Sequence, residues 1–152
     1  VEGADLTAAA AETFENLAAT LVFRCRLGTV PTEALPGLNM GLSVPEDLVA
    51  WARACGDRKI EACGPGLSEL LMDERAKVAA AAALALGQAG INSAVSPMVE
   101  RTIRADPLVV RAVVLALGEL GTEEAQRYLR LWSEGHPDPE VKELAAEMMD
   151  LE

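Results

Sequence analysis

The sequence is poor in the residues that enzymes most often use. Aromatic residues make up 3% of the 152 residues, and there is one histidine, His136. An active histidine needs a nucleophile or a carboxylate beside it, and zinc sites need closely spaced Cys and His ligands. His136 lies in the segment Glu134-Gly-His-Pro-Asp138, which reads as a turn between repeats and has no nucleophile beside the histidine, and no CxxC spacing occurs. We therefore expect no enzyme, no bound metal and no cofactor.

Basic residues are also scarce, with 13 Lys and Arg against 24 Asp and Glu. The net charge of −11 predicts neither nucleic acid nor an anionic membrane as a partner, because both attract Lys and Arg patches. The longest apolar run, residues 78–86, is too short to cross a bilayer. No basic segment of the kind that opens a signal peptide precedes an apolar run at the beginning of the sequence.

The three cysteines are Cys25, Cys55 and Cys63. An odd count without a visible signal peptide favours reduced thiols and a cytoplasmic protein. The alternative is export with a Cys55–Cys63 disulfide. Cys55 falls at a position that the periodicity assigns to the core, where a thiol acts as a small apolar side chain.

What the sequence does contain is an internal repeat. Residues 75–87, 106–118 and 138–150 read RAKVAAAAALALG, DPLVVRAVVLALG and DPEVKELAAEMMD, and they start 31 and then 32 residues apart. In each segment the apolar residues recur at i, i+3, i+4, i+7 and i+8, which is one face of an α-helix. A period of this length predicts a stacked array in which neighbouring repeats bury each other's apolar faces.

The repeat divides the chain. Residues 1–42 comprise an N-terminal amphipathic helix, predicted over 6–27, and an irregular connection. Repeats follow at 43–72, which is degenerate, at 73–105, at 106–137 and, as a partial copy, at 138–152. Each repeat should contain two helices, and the Asp-Pro pairs at 106–107 and 138–139 are typical helix starts.

Three segments need separate predictions. We expect Gly64-Pro65-Gly66 to interrupt the second helix of the degenerate repeat. Pro97 should lie in the first turn of its helix, because an interior proline costs about 3 kcal/mol. The connection at 29–43 is either a contact site or a tether, and the tether is favoured. As a tether it would pack Leu35, Leu38 and Met40 on the first helices.

The clearest repeat resembles a HEAT repeat of the short bacterial type, which also occurs in phycobilisome lyase-like proteins. The matching residues are Asp106, Pro107, Val109, Arg111, Ala112, Leu117, Gly118, Leu120, Gly121 and Ala125. The resemblance implies an all-α fold, a right-handed α-solenoid that binds other proteins. It also implies two alternatives: a lyase-like chaperone for chromophore attachment, or a purely structural segment of a larger protein. The His-Glu metal pairs of hydroxylase relatives are absent from the sequence.

Six residues are candidates for binding a protein partner. Arg101 and Arg104 are predicted on one second helix, and Arg127 and Arg130 on the next. In such arrays the second helices line the concave face, where four arginines would receive an acidic segment of the partner. The alternative is pairing of these arginines with nearby glutamates. Tyr128 and Trp132, four residues apart, are either core residues or exposed anchors.

Overall fold

The computed structural model describes residues 27–150, and for residue 150 the backbone only. This part of the chain contains seven α-helices and no strand. The helices are α1 (Pro45–Asp57), α2 (Gly64–Leu71), α3 (Ala76–Gln88), α4 (Val95–Arg101), α5 (Pro107–Leu120), α6 (Glu123–Gly135) and α7 (Pro139–Asp150). Short 3-10 helices occur at Thr32–Ala34, Leu38–Gly41, Glu61–Cys63 and Asn92–Ala94. The predicted helix at 6–27 lies outside the described residues except for Leu27.

The helices form two layers. In one layer α1 packs on α3, α3 on α5, and α5 on α7. The even-numbered helices form the second layer, and each packs on the first helix of the next repeat: α2 on α3, α4 on α5 and α6 on α7. The core between the layers is mostly aliphatic, as the composition requires. The predicted all-α solenoid of helix pairs is thus confirmed.

Glycines near the ends of the odd-numbered helices allow close approach between neighbouring repeats. A Cβ atom on Gly56 would lie 2.9 Å from the Ala85 Cα, and one on Gly87 would lie 2.7 Å from the Ala116 Cα. The two residues of each pair are 29 positions apart, and the second pair follows the first by 31 residues. Because backbone atoms cannot move aside as flexible side chains can, glycine is favoured at these two positions over any residue with a Cβ.

Side chains cap the starts of α5 and α6. The Asp106 carboxylate accepts a hydrogen bond from the Leu108 backbone N–H at 2.9 Å, and the Thr122 hydroxyl accepts one from Ala125 at 3.2 Å. Each cap satisfies a backbone N–H that has no partner inside its helix. Pro97 lies in the first turn of α4, as predicted.

Two local predictions are wrong. Gly64-Pro65-Gly66 begins α2 rather than interrupting it, since proline in the first turn needs no N–H partner within the helix. In the connection, Leu35 is completely buried and Leu38 is packed against the core, as expected of a tether. Met40, however, is 85% exposed and does not pack on the helices.

Candidate functional site

Arg101 is the last residue of α4 and its guanidinium is used inside the fold. Its Nε donates to the Leu71 carbonyl and its Nη2 to the Asp73 carbonyl, both at 3.0 Å. These carbonyls belong to the end of α2 and the turn after it, where helix geometry leaves carbonyl groups without partners. Arg101 therefore links one repeat to the next, and the structure gives it a structural contact rather than a free charge.

Arg104 does not lie on a second helix, which corrects the prediction. Helix α4 ends at Arg101, and Arg104 lies in the following loop with a left-handed backbone (φ 55°) and an exposed side chain. The arginine spacing of three residues suggested one helix face, but the helix ends before the second arginine. Arg101 and Arg104 therefore do not lie on one helix face.

Arg127 and Arg130 are brought together on α6 with exposed side chains. With Glu124, Tyr128, Leu131 and Glu134 they line an open cavity of about 360 Å³. Leu131 is 61% exposed. Within residues 27–149 neither arginine has a carboxylate within 4.0 Å, so the alternative of pairing with neighbouring glutamates is not observed. We call the area formed by Arg127, Tyr128, Arg130 and Leu131 the α6 surface.

The two aromatic residues of α6 lie at the border of the core. Tyr128 and Trp132 are half-buried and packed against core residues, with ring centroids 6.4 Å apart. Trp132 also makes an edge contact with His136, whose Nδ1 accepts a hydrogen bond from the Asp138 backbone N–H at 3.0 Å. Tyr128 thus belongs both to the α6 surface and to the core, whereas Trp132 and His136 shape the turn to α7.

The opposite layer carries a groove that the sequence analysis did not identify. It measures about 600 Å³ between α1 and α3, with Val49, Ala80 and Ala81 among its lining residues and Leu84 and Leu108 at its side. Leu84 and Leu108 are 37% and 46% exposed. The sequence did contain a signal for this groove: Leu84 and Leu108 are large apolar residues that fall outside the repeating set of core offsets.

Cys55 and Cys63 are joined by a disulfide, with their Cα atoms 6.2 Å apart. The expectation of reduced thiols is therefore wrong for this pair, because folding brings together two cysteines eight residues apart in sequence. The buried position of Cys55 is confirmed. Cys25 lies outside the described residues.

The turn into α3 contains an ion pair between Asp73 and Arg75. Arg75 Nη2 lies 2.8 Å from a carboxylate oxygen of Asp73, and Arg75 Nε and its backbone N–H also donate to that carboxylate. The hydrogen bond from the Arg75 side chain lowers the pKa of Asp73 below its ordinary value of 3.8. Asp73 is therefore ionised in the folded protein at neutral pH.

Among the described residues there is no cluster of three or more His, Cys, Asp or Glu side chains placed to hold a metal ion. The helices between residues 27 and 150 include none that is long and apolar enough to cross a membrane.

The HEAT-repeat family model matches residues 64–150, more than half of the chain. The helix pairs, their 31-residue spacing and their side-by-side packing agree with that match. This chain therefore belongs to the HEAT-repeat family, as its sequence resemblance implied. No curated protein matches it.

Proposed function

We propose that this chain is a non-catalytic protein-binding module that holds an acidic partner segment on the α6 surface. HEAT repeats generally mediate protein–protein interaction, which supports binding as the class of function. The α6 surface is a narrower proposal than the four-arginine face predicted from the sequence. It leaves out Arg101, which is occupied by backbone carbonyls, and Arg104, which lies in a loop.

One observation carries the proposal: two exposed arginines, with no carboxylate within 4.0 Å among the described residues, lie beside an exposed leucine on an acidic molecule. Arg127 and Arg130 flank the same cavity as Leu131. Guanidinium groups form bidentate hydrogen bonds with carboxylates, and an exposed leucine buries apolar area when a partner covers it. The partner segment should therefore combine Asp or Glu residues with an apolar side chain.

Glu124 and Glu134 lie at the border of the same cavity and restrict how such a segment binds. Carboxylates of the partner placed next to either glutamate would be repelled. A bound segment should therefore place its acidic residues over the two arginines and its apolar or neutral residues elsewhere. Short acidic peptides that lack an apolar residue should bind more weakly.

A displayed library of short peptides, selected on the immobilised chain, tests this proposal. We expect selected peptides to be rich in Asp and Glu around an apolar residue. Their affinity should fall about tenfold or more, equal to ~1.4 kcal/mol or more, for an Arg127→Glu/Arg130→Glu variant. A Lys77→Glu/Lys142→Glu variant is the matched control, because it changes the net charge equally at exposed sites outside α6.

Equal losses in the two variants would mean that only net charge matters and would reject the α6 surface. A library without any selected peptide would favour a purely structural repeat segment. Circular dichroism of both variants checks that their helices remain intact.

A further inference from the structure

The turn that joins α1 to α2 repeats the main-chain hydrogen bonds of the turn that joins α3 to α4. The Ile60 N–H donates to the Cys55 carbonyl at 3.0 Å, and 31 residues later Ile91 donates to Leu86 at 3.1 Å. A 3-10 helix follows in both turns, at Glu61–Cys63 and at Asn92–Ala94. The two turns thus have the same backbone conformation, although their sequences differ.

The disulfide occupies positions that hold an aliphatic pair in the other repeats. Cys55 corresponds to Leu86 and Leu117, and Cys63 corresponds to Ala94 and Ala125, each at 31-residue spacing. All six side chains are buried, with exposures between 0% and 3%. Since the same backbone forms around Leu and Ala, the fold does not require the covalent bond at this position.

The first turn nevertheless needs more support than the others. Lys59 has a left-handed backbone (φ 54°), whereas the equivalent positions hold Gly90 (φ 73°) and Gly121 (φ 61°). A side chain with a Cβ is strained in this conformation, and glycine is not. The disulfide closes a loop that contains Lys59, so it offsets this strain by restricting the unfolded turn.

The same turn anchors the connection that precedes α1. Arg58, next to Lys59, donates from Nη1 to the Val30 carbonyl at 2.6 Å and from Nη2 to the Leu27 carbonyl at 2.7 Å. Opening of the turn would displace Arg58 and release these carbonyls. The disulfide holds this turn closed, and the closed turn holds residues 27–30 through Arg58.

We propose that the Cys55–Cys63 pair is a redox-dependent staple that controls how firmly residues 27–44, which include the connection, are attached to the first repeat. The oxidant is a disulfide of the glutathione or oxidoreductase class. The thiolate of one cysteine attacks it and displaces one thiol. The second cysteine then attacks the mixed disulfide and releases the second thiol, so the oxidant takes up two electrons and two protons. Because both sulfurs are buried, exchange requires the turn to open.

Two measurements test the staple, both in a Cys25→Ser background that prevents exchange with the third cysteine. After treatment with oxidised glutathione, peptide mapping by mass spectrometry should find Cys55 linked to Cys63. Reduction with a dithiol should lower the Tm by about 5–10 °C. Hydrogen exchange should accelerate at residues 27–44 and 55–63 and stay unchanged in α5 and α6.

A Cys55→Leu/Cys63→Ala variant is the matched control, since it copies the pair that the regular repeats use. The Tm and the hydrogen exchange of this variant should not respond to the reductant. In the protein that keeps both cysteines, a Lys59→Gly substitution should raise the Tm of the reduced form. The staple is rejected if Cys55 and Cys63 fail to link under oxidation. It is also rejected if Tm and exchange at 27–44 are the same in the two redox states.

Discussion

The α1–α2 repeat and the α5–α6 repeat share a backbone plan but are stabilised differently. In the α5–α6 repeat the stabilising features are local and periodic: aliphatic residues at core offsets, an Asp cap, a Thr cap and Gly121 in the turn. In the α1–α2 repeat no side-chain cap is observed at either helix start, and contacts between residues distant in sequence replace these features. A degenerate repeat can therefore keep its geometry when tertiary contacts take over the role of local signals.

Trp51 shows how the replacement works. It occupies the position of Ala82 and Val113 in the later repeats, and it is completely buried. Its Nε1 donates to the Leu35 carbonyl at 2.8 Å, and a Cβ on Gly66 would lie 2.8 Å from its ring. The Trp51 side chain fits for two reasons. Helix α2 has a glycine, Gly66, where the helix approaches the indole ring, and the connection supplies the Leu35 carbonyl as a hydrogen-bond acceptor.

The largest expected effect comes from removing this contact. Trp51→Ala should lower the free energy of unfolding by about 3–5 kcal/mol, because it leaves a cavity and removes the partner of a buried carbonyl. Trp132→Ala, at a half-buried position of α6, should cost clearly less. Urea denaturation followed by circular dichroism measures both values. Equal losses would contradict the view that the Trp51 contact is a main support of the first repeat.

The next largest loss of stability is expected in the layer of odd-numbered helices, to which both repeats contribute. Gly87→Ala places a Cβ within 2.9 Å of the Ala116 Cβ and carbonyl oxygen and should cost about 1–3 kcal/mol, despite the higher helix propensity of alanine. Gly135→Ala is the matched control. Among the described residues, no heavy atom other than those of its chain neighbours and its own helix backbone lies within 4 Å of the added Cβ, so the change should be neutral or stabilising. The comparison uses the same denaturation assay. A neutral Gly87→Ala would show that the odd-numbered helices can separate without loss of stability.

The smallest effect is the dependence of stability on pH at the turn into α3. Because the folded protein has the lower pKa for Asp73, its ion pair stabilises the fold above the ordinary value of 3.8. This stabilisation is lost as the pH falls through 3.8 towards the folded pKa. The Tm of the wild type should therefore fall more steeply below about pH 4 than that of Asp73→Asn. The exposed Glu119→Gln substitution is the control, and identical profiles for Asp73→Asn and the wild type would reject the role of the ion pair.

The candidate site was only partly predictable, for a clear reason. Helical spacing correctly placed Arg127 and Arg130 together on α6, because both lie well inside a capped helix. The same spacing failed for Arg101 and Arg104, since α4 ends between them. Nothing local to Arg101 shows that its guanidinium reaches carbonyls near residues 71–73, because those carbonyls become neighbours only when the repeats stack.

By itself the sequence determined the helical repeat: its 31-residue period, the core offsets of the odd-numbered helices and the caps at Asp106 and Thr122. These features depend on spacing within one helix turn or on side chains adjacent to the backbone they cap, so neighbouring residues are sufficient to specify them. Only the tertiary structure decided that Cys55 meets Cys63, that Trp51 reaches Leu35 and that Arg101 points into the fold. These contacts join segments that the chain brings together by stacking and turning, and no local pattern encodes their distance or direction.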